Sequence, residues 1–150
     1  MRVDELMTTS IQACTAGDSL GRAAQQMWNG DCGCLPVVDA DGSGRVVGII
    51  TDRDVCMSAL FQGKPLSDLR VADAMTTEVR TCRPADAIFT AEGAMSEARV
   101  RRLPVVNDNG VLVGMLGLAD LAREAARQQC SPHQQITGSE VGITLASICR

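Results

Sequence analysis

Two kinds of apolar spacing alternate along this chain. Leu35-Pro36-Val37-Val38 and Val46-Val47-Gly48-Ile49-Ile50 are unbroken runs rich in β-branched residues, the pattern of strands buried on both faces. The stretch between them, Asp39-Ala40-Asp41-Gly42-Ser43-Gly44, is a turn by composition, so the two strands read as an antiparallel hairpin. Leu20, Ala23, Ala24, Met27 and Trp28 instead fall at i, i+3, i+4, i+7 and i+8, one face of a helix. Asp18-Ser19 supplies its cap and Asn29-Gly30 its stop. That stripe places Trp28 in the packing; stacking on a base is the other reading for its ring. Ile11 to Cys14 reads as a short strand ahead of the helix. A second helix starts at Asp52 and runs to about Phe61, where Gly63-Lys64-Pro65 ends it.

The same plan then recurs. Val3 through Met7-Thr8-Thr9 matches Val71 through Met75-Thr76-Thr77. Cys14 matches Cys82, Asp18 matches Asp86, Met27 matches Met95, and Leu35-Pro36-Val37-Val38 matches Leu103-Pro104-Val105-Val106. The second copy predicts a strand over Val79–Cys82 and a helix opened by Pro84-Ala85-Asp86, with Ile88, Ala91 and Met95 inward. A hairpin of Leu103–Val106 and Val111–Leu116 follows around Asn109-Gly110, and a helix from about Leu118 to Gln128 closes the copy. An internal repeat of this length fixes the organisation before any local detail. The fold class is therefore α/β: two tandem β-α-β-β-α repeats at residues 1–62 and 71–128, joined by a connector over 63–70. That connector is short and holds no charge run, so the copies are expected to pack as one unit. Residues 129–150 are a polar tether, Cys130 to Gln135, and a short helix. Thr137-Gly138-Ser139-Glu140 has capping-box spacing, and Val141, Ile143, Leu145, Ala146 and Ile148 follow. Too short to stand alone, this helix is expected to dock on the repeats or on a second subunit.

The candidate chemistry sits where the hairpins run into helices. Thr51 occupies a helix N-cap position and acidic residues fill the next turn, as the helix dipole favours. Such a junction aims backbone N–H groups and a hydroxyl at one spot, which suits an anion. Asp54, three residues on, can accept hydrogen bonds from a neighbouring diol. Phosphate donors beside a diol acceptor describe a ribonucleotide site; a capped helix with a solvated first-turn acid is the plainer alternative. Val113-Gly114-Met115-Leu116-Gly117-Leu118-Ala119-Asp120 repeats the strand, the Gly and the Asp. Gly117 stands in place of Thr51 and brings no hydroxyl, so the two sites are expected to be unequal, with the Thr51/Asp54 site the better one. Arg101 and Arg102 precede the second Leu-Pro-Val-Val where the first copy has Gly33 and Cys34. Adjacent cations at a strand entrance suit phosphate through charge-assisted hydrogen bonds; two surface arginines are the other reading.

Each copy resembles a CBS domain, and the whole resembles a CBS pair, or Bateman module. The likeness is carried by the opening Met-Thr, the Leu-Pro-Val-Val strand, the Gly turn, and the closing Gly48-Ile-Ile-Thr51-Asp-Arg-Asp54 and Gly114-Met-Leu-Gly117-Leu-Ala-Asp120. It spans roughly residues 3 to 125 and says nothing about the last helix. The resemblance implies a pseudo-two-fold pair with clefts between the sheets. It further implies an adenine nucleotide (AMP, ADP or ATP) or S-adenosylmethionine as regulatory ligand, with Thr51, Asp54, Asp120, Arg101 and Arg102 as its contacts. No cofactor is required. Members commonly dimerise through their helices, so a homodimer is expected, acting on a regulated partner protein.

Composition narrows the alternatives. A net charge of −4 argues against a nucleic-acid backbone or an anionic membrane as partner. No apolar run reaches transmembrane length and no signal-peptide pattern opens the chain, so a cytoplasmic protein is expected. Aromatics make up only 2%, leaving Val, Leu, Ile, Ala and Met to build the core. Of seven Cys, Cys14, Cys56 and Cys82 lie among apolar neighbours and read as small core residues. Cys32-Gly33-Cys34 has no second ligand pair within reach and His133 is the sole His, which speaks against zinc. A thiol switch at Cys32 and Cys34 remains a rival class, as does a ligand-free interaction module. No His-based dyad, metal ligand set or phosphate-binding glycine loop is present, and Gly42-Ser43-Gly44 is a hairpin turn. The chain reads as a binding module and not an enzyme.

Overall fold

A computed structural model describes residues 1–129 and 131–149 of the chain; Cys130, the first residue of the expected tether, lies outside them. The first copy forms β1 (Cys14–Thr15), α1 (Leu20–Asn29), β2 (Cys34–Val38), β3 (Val46–Thr51) and α2 (Asp52–Gln62). The second forms α3 (Ile88–Ala98), β4 (Arg102–Val106), β5 (Leu112–Gly117) and α4 (Leu118–Gln128), and α5 (Gly138–Ile148) follows. The fold is thus α/β and built from two tandem repeats. Local chemistry sets most ends. Ser19 Oγ accepts the Arg22 N–H at 3.2 Å to start α1, and Gly63 takes a left-handed φ of 60° to stop α2.

β2 and β3 pair antiparallel, with Leu35 opposite Ile50 and Cys34 opposite Thr51, and β1 lies parallel to β2. β4 and β5 pair in a separate two-stranded sheet. The expected strand over Val79–Cys82 shrinks to a single parallel bridge from Cys82 to Val105. Pro84, two residues on, has no N–H with which to prolong a ladder. β3 is also less buried than its unbroken apolar run implied. Gly48 and Ile50 are buried, while Val46, Val47, Ile49 and Thr51 are half-buried, the alternation of a strand with one deep face.

Packing does not follow the sequence repeat. One unit comprises Gln12–Val79 with Asn109–Leu112; the other comprises Met1–Ile11, Arg80–Asp108 and Val113 onward. Each copy's opening segment is therefore built into the unit of the other copy. Val3, fully buried, joins Met95, Leu103, Leu116 and Leu121, and Val71 joins Leu20, Leu35 and Ile50. The backbone repeats the exchange: Val3 N–H donates to Asp86 O and Val71 N–H to Asp18 O, both at 2.9 Å. Thr8 and Met115 exchange a pair of 2.9 Å hydrogen bonds, as do Thr76 and Ile49. The Met-Thr pair and the strand glycine recur because they meet. A Cβ on Gly48 would lie 2.9 Å from Met75 Sδ, and one on Gly114 would lie 2.5 Å from Met7 Sδ.

Two expected core residues lie outside. α1 buries Leu20, Ala23 and Met27, but Trp28 is 84% exposed, one position past the edge of the stripe. Cys56 is exposed beside the buried Val55, whereas Cys14 and Cys82 are buried as expected. The last helix docks within its own unit. Thr137 and Glu140 close the capping box, with Thr137 Oγ1 donating to Glu140 Oε2 at 2.8 Å and accepting the Glu140 N–H at 3.2 Å. Ile136 and Val141 are buried in the cluster of Met95 and Leu121, and Ile148 packs on it. α5 thereby covers α3 and α4.

Candidate functional site

The two strand-to-helix junctions are candidate half-sites of common design and different chemistry. In each, the residue ahead of the hairpin strand is tied to the start of the closing helix. Asp52 N–H donates to Gly33 O at 3.1 Å, and Leu118 N–H donates to Arg101 O at 2.9 Å. This bond holds Gly33 beside the Thr51 junction, and Arg101 and Arg102 beside the Gly117 junction. A Cβ on Gly117 would lie 3.7 Å from Arg102 Cγ and 3.9 Å from Arg101 O. Both arginines are exposed.

At the first junction Thr51 and Asp54 cap each other. Asp54 Oδ2 accepts the Thr51 N–H at 2.9 Å and the Thr51 hydroxyl at 2.7 Å, while Thr51 Oγ1 accepts the Asp54 N–H at 3.2 Å. Asp54 is half-buried, and its Oδ1 takes no hydrogen bond among the described residues. The hydroxyl proton of Thr51 therefore points to Asp54 rather than outward, so donation to a phosphate requires it to turn. The carboxylate keeps one oxygen, not two, for an incoming hydroxyl group. At the second junction Asp120 Oδ2 accepts the Gly117 N–H at 2.8 Å. Its Oδ1 is held by the guanidinium of Arg123, one helical turn on. The i,i+3 spacing of Asp120 and Arg123 was visible in the sequence and is the signal that finds this partner.

Among the described residues Thr51 and Asp54 thus form one cluster, and Arg101, Arg102, Gly117 and Asp120 form another. A separate cavity of about 520 Å³ lies on the helical side of the first unit. Its lining includes Met27, Trp28, Val55 and Leu66 together with Asp31 and Asp52, and neither Thr51 nor Asp54.

The thiols divide by environment. Burial, with Asp18 nearby, raises the Cys14 thiol to about 11. Burial, with Asp86 nearby, raises Cys82 to about 12. Cys34 is buried and Cys32 half-buried. No group of three or more His, Cys, Asp or Glu that could hold a metal ion occurs among the described residues. None of the described helices is long and apolar enough to cross a membrane.

The sequence model of the CBS domain matches residues 3–59 and again residues 71–127. YlbB of Bacillus subtilis is 35% identical over 121 residues, 81% of this chain and 80% of that protein. The CBS domain-containing protein YhcV of the same organism is 32% identical over 120 residues, 80% of this chain and 82% of that protein. Among solved structures, the CBS domain pair of protein MJ0100, in complex with 5′-methylthioadenosine and S-adenosyl-L-methionine, superposes with a TM-score of 0.76. It is 26% identical, and the match covers 85% of this chain and 98% of that one.

Proposed function

This chain belongs to the CBS domain family, and from that footing we propose that it is a regulatory module whose half-sites hold an adenine nucleotide or an adenosyl compound. The observation that carries the reading is Asp54: a carboxylate fixed by its own helix cap, with one oxygen left to accept a ribose hydroxyl. Backbone N–H groups at the helix start favour the negative charge of a phosphate. Arg101 and Arg102 supply cations at the other half-site, where Asp120 holds the equivalent position. Thr51 acts as a positioning residue that aims Asp54. The MJ0100 pair, similar in fold and in complex with two adenosyl compounds, supports this ligand class. The module works as a cytoplasmic homodimer that passes the ligand signal to a partner protein.

The test is thermal unfolding against AMP, ADP, ATP, GTP and S-adenosylmethionine. A ligand at 100 times its Kd adds about 2.7 kcal/mol, which raises the midpoint of a chain this size by roughly 5–10 °C. A shift with adenine compounds and not with GTP supports the reading. A second reading, a ligand-free interaction module, is favoured by one observation: all three aromatic residues of the chain lie 78–84% exposed on helices. Absence of a shift with every compound selects it.

A further inference from the structure

The two candidate half-sites carry opposite charge. Each is made within its own unit, from the residues ahead of a hairpin and the start of the helix that closes it. Ahead of the first hairpin stand Asp31, Gly33 and Cys34; ahead of the second, at equivalent positions, stand Arg99, Arg101 and Arg102. Asp31 and Arg99 share the left-handed backbone, at φ values of 46° and 53°, so one turn presents an acid and its counterpart a cation. The helix start adds Asp52 at the first half-site where the second has Leu118; Arg53, in place of Ala119, runs the other way. Asp31, Asp52 and the three arginines ahead of the second hairpin are exposed, and so is Arg53. The half-site aspartates differ in the same sense. Asp54 Oδ2 accepts from the Thr51 N–H and hydroxyl and pairs with no cation among the described residues, whereas Arg123 neutralises Asp120. Two residues of chain span at most about 7 Å, within the roughly 8–10 Å over which charges still act through physiological salt. A ligand at either junction therefore meets the whole local set, not one charge of it.

We propose that the half-sites sort their ligands by charge. The Gly117/Asp120 half-site takes an adenosine that carries phosphate. The Thr51/Asp54 half-site takes an adenosyl compound whose 5′ substituent is uncharged or positive, a thioether or a sulfonium. The inference rests on the adenosyl reading proposed above and assigns each half of that ligand class to its own half-site. Arg101 and Arg102 meet a 5′-phosphate through charge-assisted hydrogen bonds, and Arg99 adds to their field. At the first half-site Thr51 gives its hydroxyl proton to Asp54 and not to a phosphate. A phosphate there also faces the carboxylates of Asp52 and Asp54, which flank Arg53 in the first turn of α2 and outweigh it. The same carboxylates attract a sulfonium. The two compounds therefore bind together and do not compete.

The experiment is calorimetric titration of the full chain with AMP, with S-adenosylmethionine, and with AMP after saturation by S-adenosylmethionine. The saturated chain is expected to bind AMP with a Kd within about twofold of the free chain's, since a separate site leaves the AMP site open. Arg101→Ala is expected to raise the Kd for AMP about tenfold or more relative to that for S-adenosylmethionine. The bond that seats Arg101 at its junction uses the backbone carbonyl, so the junction survives the loss of the side chain. Arg101→Lys, which keeps the charge, is expected to restore much of the AMP affinity. Asp54→Ala moves the ratio the opposite way, raising the Kd for S-adenosylmethionine about tenfold or more relative to that for AMP. Displacement of AMP by S-adenosylmethionine overturns the sorting and leaves the adenosyl reading standing. So does an Arg101→Ala or Asp54→Ala variant that loses both compounds alike, and so does a chain that binds one compound and not the other. Failure of both compounds to bind overturns the sorting together with that reading.

Discussion

Asp54 and Thr51 hold one another through three hydrogen bonds, all to a single carboxylate oxygen and a single hydroxyl. The consequence is an acid aimed before any ligand arrives. Its counterpart Asp120 is engaged at both oxygens, by Gly117 and by Arg123. A ligand hydroxyl meets an uncommitted oxygen at Asp54 but must displace a guanidinium at Asp120. Asp54→Ala is therefore expected to weaken adenosyl-ligand binding more than Asp120→Ala. A hydrogen bond to a charged group is worth about 1.5–3 kcal/mol, so the loss at Asp54 is about 10- to 100-fold in Kd. Arg123→Ala, which releases Asp120, is expected to tighten the weaker half-site. Calorimetric titration of the three variants checks the ranking, and equal losses for the two aspartates would refute it.

How much of this was legible in the sequence depends on the range of the cause. The ends of α2 and α4 were legible, because Thr51, Gly63 and the acidic first turns act within a few residues. The hairpins were legible because Gly44 and Gly110 sit at left-handed φ values of 72° and 75°. Trp28 was misplaced because a helical stripe tells which side faces inward, not how far the core reaches around it. The exchange of opening segments was not legible. Val3 and Val71 carry no mark of which unit will bury them, and the strand glycines show their purpose only once Met75 and Met7 lie on them.

That packing predicts a cost for filling the first glycine. A Cβ at position 48 would sit 2.9 Å from Met75 Sδ and 3.1 Å from Thr76 O. The sulfur can swing aside, but the carbonyl is pinned by the Ile49 N–H at 2.9 Å. Gly48→Ala is expected to destabilise by about 1–3 kcal/mol, the usual range for overpacking. Urea unfolding of the variant measures it, and a change of under a few tenths of a kcal/mol would contradict the close approach.

Arg99 ends α3 with a φ of 53°, and Asp31, at the equivalent point of the first copy, has 46°. The left-handed conformation disfavours a side chain by roughly 1–2 kcal/mol, less for Asp than for Arg. Glycine removes that strain and gives back part of the gain through a freer unfolded chain. Arg99→Gly is expected to stabilise by about 0.5–1 kcal/mol, a rise of a few degrees in Tm. A lower Tm would mean that the Arg99 side chain holds something in place.

The buried thiols predict a labelling pattern. The thiolate is the reactive form, and burial raises Cys14 to about 11 and Cys82 to about 12. Iodoacetamide at pH 8 is expected to modify the exposed Cys56 and Cys149 while sparing Cys14 and Cys82 until the protein unfolds. Mass spectrometry of the digested protein reads each site. Early modification of Cys14 or Cys82 would show that its unit opens far more readily than its packing implies.

Glu92 predicts a pH dependence with a definite sign. Its side chain is 7% exposed beneath α5, and Oε1 has no hydrogen-bond partner among the described residues. Burial first, and the negative charge of Glu140 second, raise its carboxyl above the ordinary 4.5. Between the unfolded and folded values the native chain holds a proton that the unfolded chain has released, so stability falls as pH rises through that window. Above it the penalty is complete. Glu124 and Glu140 act in the opposite direction. Hydrogen bonds from Arg127 and Thr137, respectively, lower their carboxyls, so what they add is present at neutral pH and fades as pH falls through their folded values. The difference between Glu92→Gln and the wild type isolates the Glu92 contribution. The variant is expected to melt higher at pH 7, with the gap closing as pH approaches 4.5. A gap that is constant with pH, or a variant that melts lower at neutral pH, would show that the Glu92 carboxylate is not held unpaired beneath α5.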